Sequence, residues 1–258
     1  MSKCILITGA TSGIGLATAR LFGAHGYDLI LTGRRSDRLK SIGEELSLNH
    51  TIKTQLLTFD VRNYEECETA VGQIDCDVDI LLNNAGLARG FDFVHEANIR
   101  DWDEMIDTNI KGLAYMTRLI SDRMVKRCSG HIINIASSAG KEAYPKGNVY
   151  NATKFAVEGF TKAIRMDLHK HNIRVSQVSP GHVEETEFAQ VRFHGDAAKA
   201  KIYDDFNPLT SQDVAEVIYF IATRPGHVNI QDVFMMGTQQ ASSMVIDRSG
   251  RKFDPVSE

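Results

Sequence analysis

Tyr150 and Lys154 stand four residues apart in the run Tyr150-Asn151-Ala152-Thr153-Lys154. Four residues is about one helical turn, so on a helix both side chains share a face. A tyrosine hydroxyl keeps its proton to about pH 10 and exchanges it poorly near neutrality. Lowering that value by three units takes about 4 kcal/mol. An ammonium group about 4 Å away supplies about 4 kcal/mol at an effective dielectric near 20. The pair can therefore give and take a proton. Ser137 precedes it by thirteen residues. Near the other end, Thr8-Gly9-Ala10-Thr11-Ser12-Gly13-Ile14-Gly15 follows an apolar run and opens an amphipathic one. A glycine loop between strand and helix is where a dinucleotide pyrophosphate binds. Gly9 permits the tight exit from the strand, Gly13 lets backbone approach the phosphates, and Gly15 lets the helix pack closely. Thr11, Ser12 and Ile14 complete the loop, and the helix N-terminus turns free N–H groups toward the anion.

These residues need elements to hold them. Short apolar runs recur at Cys4–Ile7 and at 29–32, 55–59, 80–82, 131–135, 175–178 and 233–235. Continuous rather than alternating apolar character marks strands buried on both faces, as in a parallel sheet. Between them, amphipathic stretches at 14–26, 36–48, 63–74, 108–128, 150–170 and 211–223 read as helices. Strand–helix alternation gives right-handed βαβ units. The expected fold is α/β, a single Rossmann-type domain over 1–240, with a doubly wound seven-stranded parallel sheet and helices on both faces. Residues 241–258 read as a C-terminal tail. The polar stretch 186–207, after Pro180-Gly181, reads as an excursion over the functional face.

Composition narrows the class. The chain has 258 residues, 43% hydrophobic and 24% charged, with net charge −4. A disordered chain would be less apolar. A nucleic-acid binder would carry a basic surface, so no nucleic-acid partner is expected. The N-terminal apolar run Cys4–Ile7 falls short of the about 7–15 residues of a secretory core, and no stretch nears the roughly 20 of a membrane span, so neither membrane nor export is expected. Cys4, Cys67, Cys76 and Cys128 form no C-x-x-C pair and flank no histidine at ligand spacing. The expectation is reduced thiols, no metal and a cytoplasmic location.

Taken together the motifs resemble the short-chain dehydrogenase/reductase family, from about residue 3 to about residue 235. The resemblance rests on the glycine loop, Asp60-Val61, Asn83-Asn84-Ala85-Gly86, Asn109, Ser137, Tyr150-x-x-x-Lys154 and Pro180-Gly181, all in order. It implies an enzyme that moves hydride between a nicotinamide and a carbonyl carbon while Tyr150 handles the proton. Lys154 would also hold the nicotinamide ribose, Ser137 would orient the substrate oxygen, and Asn109 would complete a proton relay through water to Lys154. Asp60 and Val61 would flank the adenine. Asn83, Ala85 and Gly86 would line the ribose, and Pro180, Gly181, Val183 and Thr186 the nicotinamide. The second strand ends in Arg34-Arg35, without the acidic residue that NAD enzymes of such folds place there. Guanidinium forks bind phosphate, so NADP(H) is the expected cofactor.

Several segments are similar to one subgroup, the NADP-dependent dehydrogenases of small 3-hydroxy acids (serine, allo-threonine) that also reduce malonic semialdehyde. These are 144–150, 180–188 with 191–193, and 227–230. The implied partner is a small anionic aldehyde or hydroxy acid, meeting Ser137, Tyr150 and a cation. Arg192 is the first candidate, with Arg89 and Lys141 behind it. Arg248 or Arg251 in the tail could serve a neighbouring subunit, since relatives form homotetramers through their two long helices, with Phe155, Val157 and Phe160 at the interface. A sulfonate substrate, sulfoacetaldehyde reduced to isethionate, fits the same frame. A regulator that senses NADP(H) without turnover usually loses Tyr or Lys of the motif, and this chain keeps both.

Overall fold

Strand formation follows the apolar runs, and each strand is followed by the helix that covers it. The computed structural model describes residues 2–253. Its elements are β1 (Cys4–Ile7), α1 (Gly13–Ala24), β2 (Asp28–Gly33), α2 (Ser36–Asn49), β3 (Thr54–Thr58), α3 (Tyr64–Gly72) and β4 (Ile80–Asn83). There follow α4 (Ile99–Ile106), a π-helical segment (Asp107–Gly112), α5 (Leu113–Arg127), β5 (Gly130–Ile135), α6 (Asn148–Leu168), β6 (Ile173–Pro180), α7 (Phe188–Arg192), α8 (Ser211–Ala222) and β7 (Asp232–Met235). The seven strands are parallel in the order β3-β2-β1-β4-β5-β6-β7.

The strands at the centre of the sheet are buried on both faces, as their unbroken apolar runs require. One face packs Met116, Ile120 and Met124 of α5 and Ile164 of α6 over Leu6 and Leu81. The other packs Phe22 of α1, Leu39 of α2 and Ile218 of α8 over Ile5 and Leu29. Strand order reverses between β1 and β4, and that is where an open α/β sheet leaves a crevice. The two flanking loops are stitched together there. The Asn84 amide donates to the carbonyls of Thr8 (2.9 Å) and Gly9 (3.1 Å), and the Thr8 hydroxyl accepts from the Asn84 and Ala85 N–H groups.

Two boundaries differ from the sequence reading. The helix expected over 108–128 is the second part of a helical run that begins at Ile99 and loosens into a π turn around Asn109. The excursion contains a one-turn helix, α7, too short for periodicity to reveal. The stretch beyond 240 lies along this chain's own surface as far as Phe253. Arg248 pairs with Asp205 (2.6 Å), Arg251 with Glu184 (2.7 Å), and the Ser243 N–H donates to Glu142 (2.9 Å). Residues 254–258 of the expected tail, and Met1, lie outside the described residues. Among the described residues no helix is long and apolar enough to cross a membrane, and no group of three or more His, Cys, Asp or Glu is placed to hold a metal.

Candidate active site

A cleft of about 820 Å³ opens at the carboxyl ends of the strands. At one end lies the glycine loop. Gly13 sits at φ +53° on the first turn of α1, and a Cβ there would come within 3.0 Å of the Thr186 side chain. A Cβ on Gly15 would meet the Gly9 carbonyl at 2.4 Å, so Gly15 serves packing and does not line the cleft. Ser12 occupies the N-cap without a side-chain cap bond, which leaves the first-turn N–H groups of α1 free for a ligand. Gly9, Thr11, Ser12 and Ile14 line the same wall. A backbone cradle, a bare helix N-terminus and nearby arginines fit a dinucleotide phosphate chain.

Those arginines follow β2. Arg34 lines the cleft, half exposed and 3.8 Å from the Asp60 carboxylate. Arg35 donates to the hydroxyls of Thr11 (2.6 Å) and Ser12 (3.2 Å) and pairs with Glu187 (2.7 Å). Arg38, one turn into α2, pairs with the same carboxylate at 2.6 Å. Burial favours protonated Glu187, but Arg38 and Arg35 outweigh it and hold the carboxyl below its usual range. Asp60, Val61, Ala85 and Gly86 line the same cleft. Pro180, Gly181, Val183 and Thr186 close the opposite wall. Asn83 is a correction. Its amide donates to Thr117 and Asn134 (both 2.9 Å), and Asn134 donates to Thr161 (2.8 Å). It ties β4 to α5 and β5, and the neighbouring Asn84 takes the place at the cleft.

The chemistry-bearing residues meet at the middle. Helix α6 presents Tyr150 and Lys154 on one face, each 7% exposed. The Lys154 Nζ lies 5.9 Å from the Tyr150 ring centre and donates to the Ile135 carbonyl at 3.0 Å. Ser137, at the end of β5, hydrogen-bonds the Tyr150 hydroxyl. Electrostatics here correct the sequence argument. Burial, reinforced by Tyr144, pushes the Tyr150 hydroxyl up, while Ser137 and Arg192 pull it down. Burial pulls Lys154 down to about 8. Asn109 sits in the π turn with its side chain committed. It donates to the Leu87 carbonyl (2.8 Å) and Thr153 hydroxyl (3.1 Å) and accepts from the Leu87 N–H (2.9 Å). These bonds pin the loop after β4 against α6, and no hydrogen bond joins Asn109 to Lys154 among the described residues.

Beyond Tyr150 the cleft ends in an aromatic box around Arg192. This guanidinium is 7% exposed. It stacks 4.7 Å from Phe91, 5.5 Å from Tyr144 and 5.6 Å from Tyr150, measured to the ring centres. Its Nη1 donates to the Tyr144 hydroxyl at 3.0 Å, while Nε and Nη2 find no acceptor among the described residues. Two predicted cations are elsewhere. Arg89 pairs with Glu104 (2.9 Å) and donates to the Val191 carbonyl (3.0 Å), behind the wall of the cleft. Lys141 is neutralised by Glu158 (3.1 Å) and Asp232. Arg248 does line the cleft, stacked on Phe206 and paired with Asp205. Sequence reasoning missed Phe91, Lys146, Glu187 and Tyr203, which also line it. Phe91 and Tyr203 come from stretches without a motif, Lys146 and Glu187 from the segments 144–150 and 180–188 without a role assigned to them, and only the fold gathers the four.

The arrangement has known counterparts. The NADP-dependent 3-hydroxy acid dehydrogenase YdfG of Salmonella typhi is 46% identical over 250 residues, covering 95% of this chain and 99% of that protein. Sulfoacetaldehyde reductase 2 of Chromohalobacter salexigens is 43% identical over 254 residues, covering 96% of this chain and all of that protein. Among solved structures, the closed form of serine dehydrogenase complexed with NADP+ superposes with a TM-score of 0.90 at 44% identity, covering 93% of this chain and 97% of that one. The short chain dehydrogenase family model matches residues 3–197. With that match, the sheet order and the Ser137–Tyr150–Lys154 cluster at one cleft, the chain belongs to the short-chain dehydrogenase/reductase family.

Proposed function

We propose that this protein is an NADP(H)-dependent oxidoreductase that interconverts a small acidic aldehyde, of the malonic semialdehyde type, with its hydroxy acid. The observation that carries the substrate class is Arg192. A buried cation with two unpaired donors is costly unless an anion completes it, and this one faces the aromatic end of the cleft beside Tyr150. The fork matches a carboxylate in two-point contact.

NADP(H) is the cofactor, and when bound it supplies the hydride at the nicotinamide. Arg34 and Arg35 would hold its 2′-phosphate, the glycine loop its pyrophosphate, and Lys154 the ribose next to the nicotinamide. The protein's own share of the chemistry is positioning and proton handling. Arg192 takes the acid group and fixes the distance of the carbonyl from Tyr150. Ser137 donates a hydrogen bond that orients the carbonyl oxygen and stabilises charge growing on it. Tyr150, held protonated by burial, gives its proton to that oxygen. The Lys154 ammonium stabilises the tyrosinate left behind. The reverse reaction needs Tyr150 deprotonated.

The test is oxidation of NADPH, and separately NADH, with malonic semialdehyde, succinic semialdehyde, sulfoacetaldehyde and an uncharged aldehyde of similar length. NADPH with a short acidic aldehyde should win by tenfold or more in kcat/KM, which corresponds to about 1.4 kcal/mol of transition-state binding. Equal rates with the uncharged aldehyde would remove the anion-site reading. Preference for sulfoacetaldehyde would move the substrate to the sulfonate class, the activity named for the Chromohalobacter relative.

We further propose a homotetramer assembled through α5 and α6. Phe155, 45% exposed, and Met166 lie eleven residues apart on one apolar stripe of α6. Val157 and Phe160 serve this chain's own core instead, packed with Leu113 and Ala136.

A further inference from the structure

The segment 186–193 carries Arg192 and forms one wall of the cleft, and its backbone is bracketed by unusual conformations. Glu185 at φ +59° and His194 at φ +52° both occupy the left-handed region, followed by Gly195 at +83°. Non-glycine residues persist there only when surrounding contacts impose it. The far end of the segment is tied down by one backbone and two side-chain contacts. The Gly90 N–H donates to the Arg192 carbonyl (2.9 Å), Arg89 to the Val191 carbonyl (3.0 Å), and His194 pairs with Asp101 (3.0 Å). The near end is held differently. Glu187 reaches across more than 140 residues of sequence to Arg35 and Arg38, and Thr186 packs against the glycine loop at Gly13.

We infer that Glu187 is a positioning residue that fastens the Arg192-bearing segment to the arginines after β2, so that the nucleotide end and the acid-binding end of the cleft are set by one ion-pair network. The inference rests on the assignment of Arg35 to the NADP phosphate and of Arg192 to the substrate anion. Its physical content lies in charge. Arg34, Arg35 and Arg38 carry three positive charges, more than a phosphate dianion needs. Glu187 takes up the surplus and converts it into a tether for the segment. Arg38 does not line the cleft, and it meets Glu187 from outside. Two consequences have opposite signs. Without the carboxylate the segment loses its near fastening, and Arg192 is delivered less often to the substrate. Without the carboxylate there is also one negative charge fewer beside the phosphate, so nucleotide binding is unharmed or tightened.

The test uses the full-length protein with Glu187→Gln, Arg38→Gln and the double variant. Hydrogen exchange of the amides over 186–193 is read without added nucleotide, NADP+ affinity by calorimetry, and KM for the best acidic aldehyde by NADPH oxidation. Glu187→Gln should speed exchange over 186–193 and raise the aldehyde KM on the order of three- to tenfold, as expected for losing a shared, part-exposed ion pair. NADP+ should bind as tightly as before or more tightly. Arg38→Gln should move exchange and KM in the same direction by less, and the double variant should be no worse than Glu187→Gln alone. Unchanged exchange, an unchanged aldehyde KM or a weakened NADP+ affinity would each overturn the inference. Failure of the underlying reading looks different, because the unmodified protein would then show no preference for acidic aldehydes or for NADPH.

Discussion

At the scale of single residues, Ser137, Tyr150 and Lys154 were legible from their types and spacing, whereas the place of Asn83 was not. A serine, a tyrosine and a lysine at fixed spacing name a proton-transfer site, and the fold brings the three together at one cleft. Their energetics were not legible, because they depend on burial. Spacing alone suggested a tyrosine lowered by its lysine, whereas burial raises Tyr150 and lowers Lys154 to about 8. The pH behaviour follows from those directions. On the proposed mechanism, the upward push of burial on Tyr150 favours the protonated form that reduction needs. Lys154 loses its charge as pH rises through about 8, so kcat/KM for reduction should be flat below that value and fall above it. Oxidation, which needs a deprotonated Tyr150, should rise with pH. Tyr150→Phe should cut reduction by roughly 10²–10⁴-fold, the usual contribution of a positioned general acid. A pH–rate series for both directions checks this, and a reduction rate that climbs through pH 8 would contradict it.

At the scale of elements, continuous apolar runs announced the strands, and periodicity announced the long helices. The π turn at Asp107–Gly112 and the single turn of α7 escaped because neither is long enough to show a period. The sequence also could not say which of two adjacent asparagines faces the cleft. Side chains alternate along a strand, so Asn83 points into the layer between β4 and α5 while Asn84 begins the loop. Asn83→Ala should therefore act on stability. It takes the donor from the Asn134 side-chain oxygen and the Thr117 hydroxyl, at about 1–3 kcal/mol for each buried group left unsatisfied, and melting should drop by several degrees. KM for NADPH should stay within about twofold. A normal melting temperature with a raised KM for NADPH would restore Asn83 to the ribose. Arg89 and Lys141 illustrate the same limit, since a cation's sequence neighbourhood does not disclose whether a carboxylate meets it in space.

For the whole molecule, the order β3-β2-β1-β4-β5-β6-β7 explains why residues from nine to 248 converge on one crevice. Each β-strand delivers its loop to the same edge, and the reversal between β1 and β4 opens the gap. Assembly belongs to this scale too. Phe155→Glu would put a charge into the proposed α6 interface and should shift the mass measured by light scattering from four chains toward two or one, without loss of fold by circular dichroism. An unchanged mass would remove α6 from the interface. The central claim is that one buried arginine reads the acid group of the substrate. It is tested most directly by kcat/KM for malonic semialdehyde and for an uncharged aldehyde of equal length, in the unmodified protein and in Arg192→Met. The expected result is a 10- to 100-fold loss for the acidic aldehyde, matching about 1.5–3 kcal/mol for a charged hydrogen-bonded contact, with a change of less than threefold for the uncharged one. Equal losses for both substrates, or none for either, would contradict it.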